Sequence, residues 1–191
     1  MRTSFLFVAI SFGLASCQST RPLYQAGAYT TGAAFRQQRP SVAGTDARPT
    51  FLHRKVAVQN PVGDGRRQVK IARDSLWGYA KASGRAIRLF RGRSYQIEQA
   101  DTLMIYSQQQ PSVTYLAQQT GPVTTTEYFF SAGTNGPVLP LRKKTLRQVF
   151  ANNTGFLNLL RQNKWHQPLL AYDHQTNSYR IVALYRQSLR P

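Results

Sequence analysis

The chain has 191 residues, with 25 Lys and Arg against 7 Asp and Glu, and a formal net charge of +18 at pH 7. So few carboxylates leave little material for a metal or hydrolytic site, and a single cysteine excludes an internal disulfide. The charge predicts an anionic partner, such as lipid head groups, lipopolysaccharide, acidic polysaccharide or nucleic acid.

Residues 1–16 have the form of an export signal. Met1, Arg2 and Thr3 give a short basic start, and residues 4–14 form an apolar run of 11 residues. This is the length of a signal-peptide core and is too short to span a bilayer, which needs roughly 20 apolar residues. The run ends in four residues that resemble the lipobox of bacterial lipoproteins, namely Leu14, Ala15, Ser16 and Cys17.

The resemblance to bacterial lipoproteins implies a membrane anchor at Cys17. In that family a diacylglycerol is attached to the cysteine thiol, the signal is cut just before it, and the new N-terminus is usually acylated. Gln18 stands where the inner-membrane retention signal of the family has Asp, which favours the outer membrane. Cleavage removes Arg2 and leaves a net charge of +17. The alternatives are an ordinary secretory signal with a cysteine near its cleavage site and an uncleaved anchor.

Residues 17–50 are predicted to be the lipidated N-terminus and a flexible tether. Between residues 18 and 50, 17 of 33 residues are Gly, Pro, Ser, Thr or Gln, and large apolar residues are few. Such a composition buries too little surface to offset chain entropy. We expect Tyr24, Tyr29 and Phe35 to be isolated aromatic residues of this tether, with docking on the domain as the alternative.

Residues 51–191 are predicted to form one α+β domain built on an antiparallel β-meander. Short runs of β-branched and aromatic residues alternate with polar ones and recur about every ten residues, with Gly, Asn, Pro or Gln between them. Two strands around Val56 and Ile71, joined at residues 63–65, precede the meander. The meander runs are centred on Trp77 and Tyr79, Ile87 and Leu89, Tyr95 and Ile97, residues 103–106, Val113 and Tyr115, and residues 128–130.

The periodicity becomes helical after Pro137 and Pro140, which confine residues 138–141 to an edge or extended segment. Two short helices are predicted. The first carries Leu146, Val149 and Phe150 at helical spacing, and the second, capped by Thr154, carries Phe156, Leu157 and Leu160. We expect both to cover one face of the sheet, together with Trp165. The final residues 169–172 and 179–185 are predicted to form a hairpin, with a terminal helix as the alternative for 179–185.

One set of residues carries a second resemblance: Leu76, Trp77, Gly78, Tyr79, Gly84, Arg85, Tyr106, Tyr128, Phe129, Phe130, Ser131, Gly136, Pro137, Leu146 and Phe150. With these residues, roughly residues 74–185 resemble a group of small uncharacterised exported proteins of Bacteroidetes-type bacteria. This resemblance implies export but no activity.

Few side chains suggest catalysis. His53, His166 and His174 lack metal-site spacing, and no cofactor or metal is predicted. Asp173 beside His174, or the pair Glu98 and Asp101, would serve a hydrolase only with a nucleophile that the sequence does not identify. Nucleic acid is not favoured as a partner, because the basic residues are spread along the chain without a recognition motif.

Two basic clusters are the candidate anion-binding residues. The first flanks a predicted hairpin and consists of Arg85, Arg88, Arg91 and Arg93. The second begins a predicted helix and consists of Arg142, Lys143, Lys144 and Arg147. Cations there oppose the helix dipole, which favours a bound anion, with a solvated helix end as the alternative. We therefore expect a non-catalytic, outer-membrane-anchored envelope protein whose basic domain binds an anionic component or a partner protein. The alternatives are a small envelope hydrolase and a nonspecific polyanion binder. The oligomeric state is not predicted.

Overall fold

The computed structural model describes residues 24–60, 67–112, 123–163 and 168–190. In chain order, its elements are β1 (Gly27–Tyr29), α1 (Gly32–Arg36), β2 (Val42–Ala43), β3 (Asp46–Pro49), β4 (Lys55–Gln59), β5 (Gln68–Ala72), β6 (Gly78–Ala80), β7 (Ala86–Phe90), β8 (Arg93–Gln99), β9 (Leu103–Ser112), β10 (Val123–Ala132), β11 (Leu139–Pro140), α2 (Lys143–Val149), α3 (Thr154–Gln162), β12 (Tyr172–Asp173), β13 (Ser178–Tyr179) and α4 (Arg180–Ser188). A 3-10 turn, Arg73–Ser75, follows β5.

An eight-stranded antiparallel sheet forms the centre of the domain. Its strand order is β11-β10-β9-β8-β7-β6-β1-β2, so strands β6 to β11 follow one another as a meander. The prediction of an α+β domain with an antiparallel meander is therefore confirmed. Strand β11 lies at the sheet edge, where Pro140 removes no hydrogen bond that an inner strand needs, as the two prolines predicted.

One face of the large sheet is covered by two separate layers. At the β1–β7 end, Tyr79 and Ile87 pack against Val56 and Val58 of a three-stranded sheet with the order β3-β4-β5. At the β9–β10 end, buried side chains of both strands pack against the helices; this cluster contains Leu103, Ile105, Phe130, Leu146, Phe150, Phe156, Leu160, Ile181 and Val182. The pairing of β4 with β5 and the helical cover confirm two further predictions.

The other face of the large sheet carries an aromatic cluster that includes Tyr95, Tyr106 and Phe129. Residues 103–106 contribute to both faces, because side chains alternate along a strand: Leu103 and Ile105 point to the helices and Met104 and Tyr106 to this cluster. Burial on both sides explains why this run is continuously apolar rather than alternating.

The predicted tether is wrong for residues 24–50, which belong to the folded domain. Strand β1 lies between β6 and β2 inside the large sheet, and Tyr29 and Phe35 are core residues that are 0% and 2% exposed. The small polar residues that suggested disorder form turns and caps instead. Thr31, for example, accepts a hydrogen bond at Oγ1 from the amide of Ala34 at the start of α1. The domain therefore begins before residue 51, while Cys17 and residues 18–23 lie outside the described residues.

Helices α2 and α3 appear where the sequence predicts them, although the cap of α3 is Asn153 rather than Thr154. The Asn153 side chain accepts a hydrogen bond from the amide of Phe156 at 2.9 Å. The predicted hairpin at the C-terminus is only partly present, because β12 and β13 are two residues each and residues 180–188 form α4. Ile181 and Val182 are fully buried against the other helices, and Tyr185 packs on Phe150 with ring centroids 4.9 Å apart. Because these buried residues recur at helical spacing, their packing favours a helix over a second strand of a hairpin.

Three sequence predictions fall outside the described residues. They are the turn at 63–65, the strand at Val113 and Tyr115, and the packing of Trp165.

Candidate functional site

The first predicted cluster is divided by the structure. Arg85 precedes β7, whereas Arg91 and Arg93 lie beyond the opposite end of that strand, at the turn into β8. All three are exposed. Arg88, in the middle of β7, is only 3% exposed. These four residues therefore do not form one surface, and the assignment of Arg88 to a surface anion site is corrected.

Arg88 lies within the aromatic cluster of the large sheet. Its guanidinium carbon is 4.7 Å from the centre of the Trp77 ring, and Nη2 donates a hydrogen bond to the carbonyl of Gly136 at 3.1 Å. Nε and Nη1 have no hydrogen-bond partner among the described residues. Burial lowers the pKa of Arg88, and the neighbouring Tyr106 partly opposes that shift. The electron-rich face of Trp77 accommodates the buried charge, and this places Arg88 in the packing of the domain.

Trp77 connects this interior to the N-terminal segment. Its ring stacks on Phe35 with centroids 4.5 Å apart, and Nε1 donates a hydrogen bond to the carbonyl of Thr134 at 2.8 Å. Tyr24 stacks on the other side of Phe35 at 4.8 Å, and burial raises the pKa of Tyr24 to about 12. Trp77, the first residue of the Trp-Gly-Tyr run at 77–79, is therefore central to the packing between the N-terminal segment and the sheet.

The second predicted cluster is exposed and continuous along the chain. Arg142, Lys143, Lys144 and Arg147 all point to solvent around the start of α2. Arg142 occupies the N-cap position without a side-chain capping bond, and the first turn contains no acidic residue. The helix has only seven residues, so it supplies charge but not a formed anion pocket.

A feature that the sequence analysis missed lies at the turn between β3 and β4. Phe51 is 94% exposed and Leu52 is 71% exposed, the highest values among the large exposed hydrophobic residues of the described chain. The turn is held by hydrogen bonds from the Thr50 amide to the Lys55 carbonyl at 2.9 Å and from the His53 amide to the Thr50 carbonyl at 2.8 Å. The backbone itself therefore presents both side chains to solvent. We call Phe51 and Leu52 the apolar tip.

Three basic residues lie next to the apolar tip, and we call them the basic collar: Arg54 and Lys55, which are exposed, and Arg73, which is half-buried. Arg73 joins two hairpin ends, because Nη1 donates to the carbonyl of His53 at 3.4 Å and Nη2 donates to Oγ of Ser94 at 2.9 Å. These hydrogen bonds bring the start of β8 close to the β3–β4 turn. Arg91 is not part of the collar, because its guanidinium lies over the Phe90 ring at 5.4 Å. Across residues 48–60 and 67–97, the sequence has one carboxylate, Asp74. The collar is therefore strongly basic.

A local feature of the sequence could have indicated the apolar tip. Phe51 and Leu52 are followed by His53, Arg54 and Lys55, and two adjacent large apolar residues do not fit a strand that alternates between a buried and an exposed face. The contact of Arg73 with this turn had no local signal, because it joins residues 20 positions apart in the chain.

The side chains considered for a hydrolase are separated or engaged within their own segments. Asp173 accepts hydrogen bonds from the Gln175 amide and the Thr176 hydroxyl, both at 2.9 Å, which hold the pKa of the Asp173 carboxyl below its usual range. His174 lies in the same exposed turn. Glu98, on β8, accepts a hydrogen bond from the Ser107 hydroxyl at 2.6 Å.

A shallow pocket of about 230 Å³ lies between the β12–β13 hairpin and α4, and Asp173 and Arg180 are among its lining residues. Within the described ranges, no three His, Cys, Asp or Glu side chains are grouped closely enough to hold a metal ion. Among the described helices, none has the length and apolar character required to cross a bilayer.

Comparison of the chain with protein-family models, with curated proteins and with solved structures finds no match.

Proposed function

We propose that this protein is a lipid-anchored component of the bacterial cell envelope, held by acylated Cys17 in the outer membrane. Its basic domain binds an anionic envelope component, such as anionic lipid, lipopolysaccharide or acidic polysaccharide, and performs no catalysis. The sequence supplies the anchor through its apolar run of residues 4–14 and the lipobox-like residues that follow it. A diacylglycerol carries two acyl chains, which is enough for durable membrane attachment, since each buried CH₂ contributes about 0.8 kcal/mol.

The observation that carries the binding function is the amount of uncompensated positive charge on the surface. The chain has 25 basic and 7 acidic residues, and two of those acids, Asp46 and Asp101, are paired with Arg48 and Arg186. The basic residues around the start of α2 are exposed, and so are Arg54 and Lys55 of the basic collar. A basic residue near an anionic membrane adds about 1 kcal/mol to binding. A domain with this surface, tethered to a membrane, is attracted to anionic groups in that membrane.

The positions of Asp173 and Glu98 give the hydrolase alternative no support. The Asp173 carboxylate is occupied within its own exposed turn, while Glu98 belongs to the central sheet.

Mass spectrometry of the protein isolated from membranes tests the anchor. We expect an N-terminal Cys17 that carries diacylglycerol, and we expect a Cys17→Ser variant to leave the membrane fraction. Outer and inner membranes separated on a density gradient test the location. An intact signal, or an unmodified Cys17 with unchanged membrane association of the variant, would overturn the proposal.

A further inference from the structure

We propose that the apolar tip, Phe51 and Leu52, inserts into the interfacial region of an anionic phospholipid bilayer while the basic collar contacts the lipid head groups. The inference deepens the proposed function and rests on it for the presence of a membrane beside the domain. It assigns the domain a defined orientation, with the β3–β4 turn toward the lipid.

The exposure of the tip is the first argument. A phenylalanine side chain that is 94% exposed beside a leucine that is 71% exposed leaves two large apolar groups in water. Transfer of a side chain of this size out of water is worth about 1.5–3 kcal/mol. The turn is held by two backbone hydrogen bonds, so both side chains project from a formed hairpin end.

The charge around the tip indicates which partner the tip contacts. Arg54 and Lys55 follow the tip in sequence and are exposed, and Arg73 donates a hydrogen bond to the His53 carbonyl within the same turn. An apolar projection beside cationic residues matches the two layers of an anionic bilayer, in which acyl chains lie beneath phosphate groups. A protein pocket of matching shape is the competing occupant, but the local excess of positive charge favours the lipid surface.

The length of chain between the anchor and the domain permits this orientation. Tyr24 lies at the opposite end of strand β7, where its amide donates a hydrogen bond to the Gly84 carbonyl. Tyr24 is the seventh residue after Cys17, and a chain of seven residues spans at most about 25 Å. A five-residue strand such as β7 is about 17 Å long. The domain can therefore lie along the surface with both Cys17 and the tip in one leaflet.

Vesicle binding tests the tip independently of acylation. The probe is the mature chain from residue 17 carrying Cys17→Ser, mixed with vesicles of phosphatidylcholine alone or of phosphatidylcholine and phosphatidylglycerol in equal amounts. We expect salt-sensitive binding to the anionic vesicles only. The double variant Phe51→Ser/Leu52→Ser should bind on the order of tenfold to a hundredfold more weakly. Leu189→Ser is the matched control, since Leu189 is 52% exposed in the helical layer, and its affinity should not change.

The collar is tested by comparing two variants with the same change in charge. Arg54→Gln/Lys55→Gln should weaken binding on the order of tenfold, and Lys143→Gln/Lys144→Gln, at the start of α2, should weaken it much less. An equal loss from both pairs would indicate adsorption through total charge without orientation and would overturn the proposal. Unchanged binding of the tip variant would also overturn it, and would leave the tip to a protein partner.

Insertion itself is measured with an environment-sensitive fluorophore on Phe51→Cys in the Cys17→Ser background, where this cysteine is the only one. Nitroxide-labelled acyl chains in anionic vesicles should quench this label and should not quench the same label on Leu189→Cys. Equal quenching, or none at residue 51, would refute insertion. These experiments use no acylated protein, so their failure leaves the Cys17 anchor intact, and a failure of the anchor leaves the vesicle result to stand.

Discussion

Substitution of Phe35 by alanine distinguishes a folded N-terminal segment from a tether. The Phe35 ring is 2% exposed and contacts three aromatic rings, with centroid distances of 4.8 Å to Tyr24, 5.4 Å to Tyr29 and 4.5 Å to Trp77. Deletion of a buried phenylalanine ring typically costs 3–5 kcal/mol, because apolar burial is lost and a cavity remains. Aromatic pairs contribute about 0.5–1.5 kcal/mol beyond that burial. We expect Phe35→Ala to lower the free energy of unfolding by about 4 kcal/mol.

Urea denaturation followed by tryptophan fluorescence measures this loss, and Trp77 reports directly because it stacks on Phe35. With a slope of about 2 kcal/mol per molar urea, the midpoint should fall by about 2 M. Phe51→Ala is the matched control: it deletes the same ring at a position that is 94% exposed, and its stability should stay within about 0.5 kcal/mol of the unsubstituted chain. If Phe35→Ala were as mild as Phe51→Ala, residues 24–50 would not contribute to the core and the fold described for them would be refuted.

Two further predictions concern packing and charge. Gly78→Ala should destabilise the domain by several kcal/mol, since a Cβ there would lie 2.4 Å from the Ile87 carbonyl oxygen. Gly155→Ala in α3, where a Cβ makes only ordinary contacts, is the control and should raise the thermal midpoint slightly. Equal effects of the two substitutions would contradict the sheet geometry. Burial opposes ionisation of Asp101, but hydrogen bonds, including that from Nε of Arg186 at 2.8 Å, outweigh it and hold the pKa of its carboxyl below the ordinary value. The stability from this carboxylate is therefore present above about pH 4 and is lost as the pH falls through the lowered pKa. Between pH 6 and 2, the urea midpoint of Asp101→Asn should fall less than that of the unsubstituted chain. Parallel curves for the two proteins would refute the linkage.

Much of the secondary structure could be predicted from local patterns. Alternation of apolar and polar residues identified strands around Val56, Ile71 and Ile87, and the helical spacing of Leu146 and Phe150 identified α2. These signals are local because side-chain direction repeats every two residues in a strand and every 3.6 residues in a helix. Antiparallel strands joined by short turns then pair with their sequence neighbours, which gives the meander.

The N-terminal segment could not be predicted from composition. Gly, Ser, Thr and Pro occur both in disordered chains and in tight turns and caps, so their frequency does not separate the two cases. The decision depended on long-range partners: β1 pairs with β6, about 50 residues further along the chain, and Phe35 packs against Trp77. A short strand of three residues has too little periodicity to reveal such a partner.

The candidate site, too, was predictable only in part from the sequence. The sequence by itself determined the lipobox-like order of residues 14–17, the +18 charge and the run of basic residues at the start of α2, because these depend on residue identity and local order. Only the tertiary structure buried Arg88 against Trp77, exposed Phe51 at a hairpin turn and brought Arg73 into contact with that turn. Burial and proximity across a sheet are set by strand register and by the layers that cover each face, and neither is encoded within a short window of sequence.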